Sequence, residues 1–426
     1  MESAKSIEDF ARPCHSHRAP GVPGSTSATP VAVLVSRSAA GETVAVPTPS
    51  STPRAAAEAS RRGGATAPPG KLAPAAFERI VAPHLGAPRP EVLVGPRVGG
   101  DCAVVRLSAG RVMTLTTDPL SVIPCLGLAA SARLACHLLA SDLWTSGIPP
   151  AYATVDFNLP PHMSDDDFAA YWEAMSDEWA RLEVAVVAGH TGRYPGCDDS
   201  VIGAATLIGV GDEGRYLSPA MAAPGDRVIV TKGCAVEATA VAAHLIPARL
   251  TAALETAGMT RPEAEAAVAL ARASLAQVSV VADCRAALRV GVRDRGVSAL
   301  HDATEGGVLG GLLELAKASG NDLRVETARI PLAAEARAAC EAWGAIDPHW
   351  TLSEGTLIAA VRPAFATAVL AALGEEGIPA AEVGEVMAGS GRLWLTAPDG
   401  SVRTIDAPEP DPYWAAYERA VREGWS

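Results

Sequence analysis

From Lys71 onward the chain alternates between two hydrophobic rhythms. Apolar residues three and four apart mark amphipathic helices, and short apolar runs closed by Gly, Pro, Asp or Asn mark strands. LAPAAFERIVAPHLG reads as a short helix, and CAVVRL and RVMTLTTD read as strands joined across SAG in a hairpin-like turn. SARLACHLLASDLWTSG is predicted as a helix and AYATVDFNLP as a strand. MSDDDFAAYWEAMSDEWARLE opens on a Ser/Asp cap and runs as a long amphipathic helix. VAVVAGHT and SVIGAATLIGVG are further strands. A Pro/Gly-rich junction, SPAMAAPGD near 217–226, then restarts the scheme with PGDRVIVTKG. Helices are predicted around 234–246, 261–289, 306–318, 330–343 and 363–376, and strands near 323–330, 355–361 and 392–396. The pattern gives two α+β units, 73–216 and 217–396, with a short helical tail over 397–426.

The first seventy residues lack this rhythm. Ala, Pro, Ser, Thr and Gly dominate them, Phe10 is their only aromatic residue, and PVAVLVS at 30–36 lacks the setting of a secretory signal. Such a segment buries too little apolar surface to offset its ordering entropy, so 1–72 is expected to be a disordered low-complexity tail. Translation from a non-Met codon near Lys71 is a further expectation, which native peptides from residues 1–60 would overturn.

Charge narrows the partners. The chain carries a formal −13 over 426 residues, with +2 on the tail and −15 on the body. That balance argues against nucleic acid or an anionic membrane as partner. No stretch reaches the roughly 20 apolar residues of a membrane helix. Eight cysteines, without a Cys-x-x-Cys pair, suit reduced thiols in a cytoplasm better than zinc.

Candidate chemistry gathers at a few points. LHDATEGGVLGGLLELAKASG, 300–320, runs a His-Asp pair, Thr304 and a carboxylate into Gly306 and Gly307, directly before an apolar helix. Glycines admit a ligand close to the backbone, and the first amides of a helix suit an anion. Neither a Walker loop nor a dinucleotide fingerprint is present. Asp101, Asp118 and Asp142 stand at element ends or in apolar surroundings. Buried carboxylates cap helices, pair with cations or bind metal, and Mg²⁺ takes such oxygens together with phosphates. For any one of the three, capping or turn duty is the alternative. VAGHTGRYPGCDDS, 187–200, reads as a polar loop after a buried strand, in which His190, Thr191 and Arg193 are placed to hold phosphate. Lys232 ends a strand before a glycine, as a phosphate contact or a solvated lysine; Glu237 reads as a first-turn acid. His301 and Asp302 bind metal, orient a substrate, or pair internally.

The order of GGDCAVV, TTDPLSVIP, LLASDLWTSGIPP, VAGHTGR, PGDRVIVTKG, LHDATEGGVLGGLLELA and LSEGTLIAAV resembles the aminoimidazole ribonucleotide (AIR) synthase, or PurM-like, superfamily over about 73–396. The likeness is greatest to its AIR synthase-related and HypE-type hydrogenase-maturation branches. It implies a two-domain α+β architecture, with an N-terminal domain that forms a β-barrel in a homodimer and a C-terminal α+β domain. It further implies ATP and Mg²⁺ in the cleft between them, and phosphorylation of an amide or carbonyl oxygen of a small substrate. A small-molecule kinase like thiamine-monophosphate kinase and a non-catalytic nucleotide-binding maturation partner are the alternatives. On this resemblance the metal candidates are Asp101, Asp118, Asp142 and Asp302, and the nucleotide candidates Gly100, Thr117, Thr191, Lys232, Thr304, Gly306 and Gly307. The catalytic candidates are His190, Arg193 and His301. Two departures stand out: His190 replaces the Asp of the usual Gly-Asp-Thr, and the chain ends REGWS where the carbamoyl dehydratase carries an acceptor cysteine. The selenium branch's reactive residue has no counterpart unless Cys102 serves, which its strand-entry position disfavours.

Overall fold

The structure is a computed structural model and describes residues 71–426. The expected disordered tail and alternative start lie outside the described residues, apart from Lys71 and Leu72.

A six-stranded sheet organises the first half. Helix α1 (Pro74–Ile80) precedes β1 (Val92–Val94) and the predicted hairpin β2 (Ala103–Ser108) and β3 (Arg111–Leu120). Next come α2 (Leu128–Thr145), β4 (Pro150–Leu159), α3 (Asp165–Arg181), β5 (Ala185–Arg193) and β6 (Gly203–Asp212). The spatial order is β1-β2-β3-β6-β4-β5, and only the β4–β5 pair is parallel. Period-two alternation turns Val112, Thr114, Thr116 and Leu120 of β3 inward, toward α2. Helix α3 opens on a capping box, in which Ser164 Oγ accepts from the Asp167 N–H at 3.0 Å and the Asp167 carboxylate accepts from the Ser164 N–H at 3.3 Å. Tyr171, Met175 and Trp179 then recur every four residues and bury one face.

The second half carries a seven-stranded sheet. Its elements are β7 (Arg227–Thr231), α4 (Val236–Leu245), α5 (Pro247–Thr256), α6 (Arg261–Ala273), α7 (Val281–Val290) and β8 (Val297–Ala303). They continue with α8 (Gly307–Ser319), β9 (Asp322–Glu326), α9 (Ala334–Ala342), β10 (Thr356–Val361) and α10 (Ala366–Glu375). The chain closes with β11 (Ala380–Met387), β12 (Leu393–Thr396), β13 (Val402–Ile405) and α11 (Pro412–Glu423). The order is β13-β12-β9-β11-β7-β10-β8, with one parallel pair, β9–β12. Neither sheet closes on itself.

Several expectations need correction. The predicted helix over 261–289 is two helices, parted by a 3₁₀ turn at Ser274–Gln277. Strand β8 is absent from the sequence reading because VSALHDA is buried throughout and so shows no alternation. β1, α5, β11 and β13 are also additions to the predicted set. The segment 187–200 is not a loop after a buried strand: β5 runs to Arg193 as an outward-facing edge strand. The tail 397–426 is not separate either, since β13 extends the sheet and Tyr413, Ala416 and Ala420 of α11 join the core of the second half.

One core fills the face of the second sheet that carries α4, α8 and α9. The other runs through both halves: Leu139 and Leu143 of α2 and Phe157 of β4 join one apolar cluster with Val281 of α7, Leu300 of β8 and Leu357 of β10. No single described helix is long and apolar enough to cross a membrane.

Candidate functional site

Where the two halves meet, four elements deliver carboxylates to one place. Asp101 comes from the loop before β2, Asp118 from β3, Asp142 from α2 and Asp302 from β8. The loop can press against α8 only because Gly99, at φ +71°, has no Cβ: one would lie 2.7 Å from the Glu314 carbonyl oxygen. Gly100 carries a weaker constraint, because a Cβ there would meet the flexible Arg97 side chain. Thr116 points inward and donates from Oγ1 to Asp142 Oδ2 at 2.8 Å. Thr117, one position on, faces the other side of the sheet and bonds Thr206 Oγ1 at 2.7 Å, so it does not join the site.

His301 lies between two acids, with Nδ1 2.8 Å from Asp101 and Nε2 2.9 Å from Glu314. Burial alone would depress its pKa, but the two carboxylates outweigh this and hold it well above the usual imidazole range. Both nitrogens of His301 are thus engaged, and the contact orients Asp101. Asp302 is 1% exposed, and neither of its oxygens has a hydrogen-bond partner among the described residues. Burial and the nearby Asp101 push its pKa up to about 7. Burial and the charges of Asp302 and Asp118 push Asp142 well up, and Asp118 is raised by burial as well. One ligand atom each from Asp101, His301 and Asp302 lie within 4.8 Å of one another. Since His301 is committed, the carboxylates are the set that fits a hard cation such as Mg²⁺.

A second acidic group adjoins the first. Lys71 Nζ donates to Thr304 Oγ1 at 2.6 Å and lies 3.5 Å from Glu305. Its side chain is 56% exposed overall; desolvation at the ammonium opposes the charge, yet Glu314, Glu305, Asp142 and Glu354 together raise its pKa well above the ordinary lysine value. Gly306 and Gly307 take φ values of +83° and +63° as expected of a tight glycine entry to α8. Their amides are already used: Gly306 N–H donates to Asp411 Oδ2 at 2.8 Å, Gly307 N–H to Thr304 O at 3.0 Å, and Leu309 N–H to His349 O at 3.0 Å. The expected phosphate cradle is thus filled by the chain's own oxygens.

Four other candidates lie elsewhere. Lys232 spends its ammonium on Asp283 Oδ2 and the carbonyls of Ser279 and Gly355, each at 2.7 Å, and is a buried tie rather than a phosphate contact. His190, Thr191 and Arg193 lie on β5. The register Asp118↔Ala205, Ala205↔Val155, Val155↔Gly189 puts that strand three strands, about 14 Å, from Asp118 within one chain. His190 Nε2 is 2.8 Å from Tyr194 Oη, and Arg193 pairs with Asp165 at 2.6 Å. A cavity of about 340 Å³ beside them is lined by Phe157, Phe168 and Trp172. Cys102 is no nucleophile: it donates to Asp142 O at 3.0 Å, and burial pushes its thiol pKa well up.

The sequence pattern marks Glu305 as the carboxylate before the glycines but does not single out Lys71, Thr116, Glu314, Glu354 or Asp411. Glu314 had a signal, a lone carboxylate within the apolar run VLGGLLELA.

Residues 99–211 match the family described as AIR synthase related protein, N-terminal domain, and residues 223–395 match its C-terminal domain. The hydrogenase expression/formation protein HupE of Azotobacter chroococcum mcd 1 is 30% identical over 294 residues, 68% of this chain and 79% of that one. The chain belongs to the AIR synthase family. Within it, carbamoyl dehydratase HypE of Rhizobium leguminosarum bv. viciae is 29% identical over 296 residues, 68% of this chain and 78% of the relative. The HypE of a HypE–HypF complex shares the fold with a TM-score of 0.57 at 23% identity, covering 78% of this chain and all of that one. A HypE in complex with ATP gives a TM-score of 0.53 at 20% identity, covering 80% and 94% of the two chains. AaThiL complexed with AMPPCP and TMP gives 0.54 at 19%, covering 74% and 90%.

Proposed function

We propose that this member of the AIR synthase family is an ATP-using, Mg²⁺-dependent enzyme that phosphorylates an amide or carbonyl oxygen of a small substrate. The observation that carries this reading is the convergence of Asp101, Asp118, Asp142 and Asp302, with both Asp302 oxygens left without protein partners. Carboxylate oxygens in that number suit Mg²⁺, which would screen phosphate charge and polarise the transferring group. The chain's own part is positioning, which is most of what phosphoryl transfer asks of a protein. His301 holds Asp101, Thr116 holds Asp142, and the contact of Gly99 with α8 keeps the loop against the second half. One structure similar in fold carries ATP and another AMPPCP, which supports a nucleotide as the ligand class.

Calorimetry with ATP, with and without Mg²⁺, is the direct test. Asp142→Asn imitates the protonated carboxyl that burial favours, so it should fold normally while losing Mg²⁺-dependent ATP binding by at least about tenfold. Binding undiminished in that variant would reject the metal assignment, and no binding by the parent would reject the enzyme reading. Phosphorus NMR of turnover separates released phosphate from the stable phosphoester of a kinase.

A homodimer joined through β5 goes with this reading. It would continue the open first sheet toward a barrel, and His190, Thr191 and Arg193 would then face the second copy. The HypE–HypF complex supports a maturation protein as a further partner. A cytoplasmic location goes with the use of ATP.

A further inference from the structure

A second constellation, apart from the aspartates, joins α2, α3 and the turn before α7. His137 of α2 has Nδ1 2.8 Å from Ser279 Oγ and Nε2 2.9 Å from Glu178 Oε1 of α3. Glu178 is buried, and two guanidiniums keep it ionised, Arg133 at 3.1 Å and Arg181 at 2.7 Å from Oε2. An ionised carboxylate can only accept, so Nε2 carries the ring proton and Nδ1 turns a lone pair to the Ser279 hydroxyl. Burial depresses the His137 pKa against the pull of Glu178, which leaves the ring neutral at neutral pH and able to take a proton. Ser279 Oγ also accepts from the Val281 N–H at 3.2 Å, a contact that strengthens as the oxygen gains negative charge. The next amide, at the exposed Ala282, has no acceptor among the described residues. Beside His137 lies a cavity of about 60 Å³, lined by Leu134, Leu275 and Val278, with Arg133 among its walls. That is room for several water-sized groups, at about 15 Å³ each.

We propose that Ser279, His137 and Glu178 act as nucleophile, base and orienting acid in the hydrolysis of esters of short aliphatic acids, an activity that does not depend on the nucleotide reading. Nucleophile to base and base to acid are both within hydrogen-bond reach, the geometry that activates a serine. The ring is turned relative to serine proteases, where Nε2 faces the serine, but either nitrogen serves once the other holds the proton. Ser279 Oγ bonds to the acyl carbon as its proton passes to His137 Nδ1. The Ala282 amide is the donor for the oxyanion that forms. The bond to the alcohol oxygen then breaks, and that oxygen takes the proton from His137. Water next attacks the acyl carbon and yields a proton to Nδ1; the acid departs as Ser279 Oγ recovers it. The apolar cavity takes the acyl chain, and its size limits that chain to a few carbons.

Treatment of the full chain with p-nitrophenyl acetate or p-nitrophenyl octanoate, followed by peptide mass spectrometry, tests this. The acetate should release p-nitrophenolate and leave an acetyl group on Ser279, and the octanoate should react about tenfold more slowly or worse. His137→Gln should slow acetylation of Ser279 by about a hundredfold or more, and Glu178→Gln similarly, since an amide no longer fixes the tautomer. Ser274→Ala, whose hydroxyl serves the Ala271 carbonyl at 2.7 Å in the preceding turn, should change nothing. Labelling should be level above neutrality and fall with acid, at a midpoint below the ordinary imidazole value, because a protonated His137 cannot accept. A tie that only holds the three elements together predicts less stable variants and an unlabelled Ser279, which overturns the proposal. Acetyl groups confined to lysines, cysteines or the N-terminus overturn it too, as does Ser279 labelled equally fast in a folded His137→Gln chain. Where a variant fails to fold, the parent decides: Ser279 labelling without that fall in acid rejects His137 as the base.

Discussion

Asp322 and Lys232 show how differently two buried charges are satisfied. Burial works against the Asp322 carboxylate, but Trp394 Nε1 at 2.9 Å and the Ser390 and Arg392 amides at 2.8 and 2.9 Å outweigh it, bringing its pKa down to about 2. A folded pKa below the unfolded one adds stability above the unfolded value, and that stability is lost as pH falls through about 2. Asp322→Asn should therefore lose about 2 kcal/mol at neutral pH, the deficit closing as pH falls toward the folded pKa; urea unfolding across pH measures it. Lys232 neutralises Asp283, which is fully buried. Lys232→Met leaves that carboxylate unpaired and should destabilise by about 3–5 kcal/mol in chemical denaturation. Nucleotide affinity of the folded fraction should stay near that of the parent, which a phosphate-binding lysine would not allow. A strand-end lysine before glycine reads as an anion contact because its partners lie 47, 51 and 123 residues away in the chain.

At the level of elements, the contact between the Gly99 loop and α8 fixes where Asp101 points. Gly99→Ala adds a Cβ against backbone at a left-handed φ, so the loop must withdraw from α8. The fold should persist by circular dichroism while Mg²⁺-dependent nucleotide binding falls about tenfold or more. Much of this level was legible in the sequence. Hairpin β2–β3, helix α3 and the apolar helix α8 announce themselves by period and caps, and the aspartates by their apolar surroundings. What stayed hidden has physical reasons. β8 is buried on both faces and shows no alternation, so nothing in the sequence pattern puts His301 and Asp302 on a strand. The sequence points to Thr117 beside Asp118, whereas Thr116 faces the site, because a single step along a strand reverses the face. The roles of Lys71, Glu354 and Asp411 depend on contacts between distant parts of the chain, which no local pattern records.

For the whole molecule, the outward face of β5 is the surface to test. Val186 and Val187 are 39% and 56% exposed on an edge strand beside an aromatic-lined cavity. An open, apolar edge of this kind pairs with another chain unless it is blocked. Light scattering should find a dimer, and Val187→Glu should shift it to monomer with the fold kept; a parent that stays monomeric at high concentration would reject the arrangement.

The apolar cluster that includes Leu139 and Leu143 of α2 together with Leu300 of β8 and Leu357 of β10 has a mechanical consequence. A seam this dry has no slack for a hinge, because parting the halves would wet side chains from both sheets at once. Opening and closing around a ligand therefore falls to what lies outside the seam. A single long lysine arm, Lys71, can swing aside for far less than a domain rotation would require, so admission to the acidic junction is a matter of one residue's rotamer rather than of bulk motion.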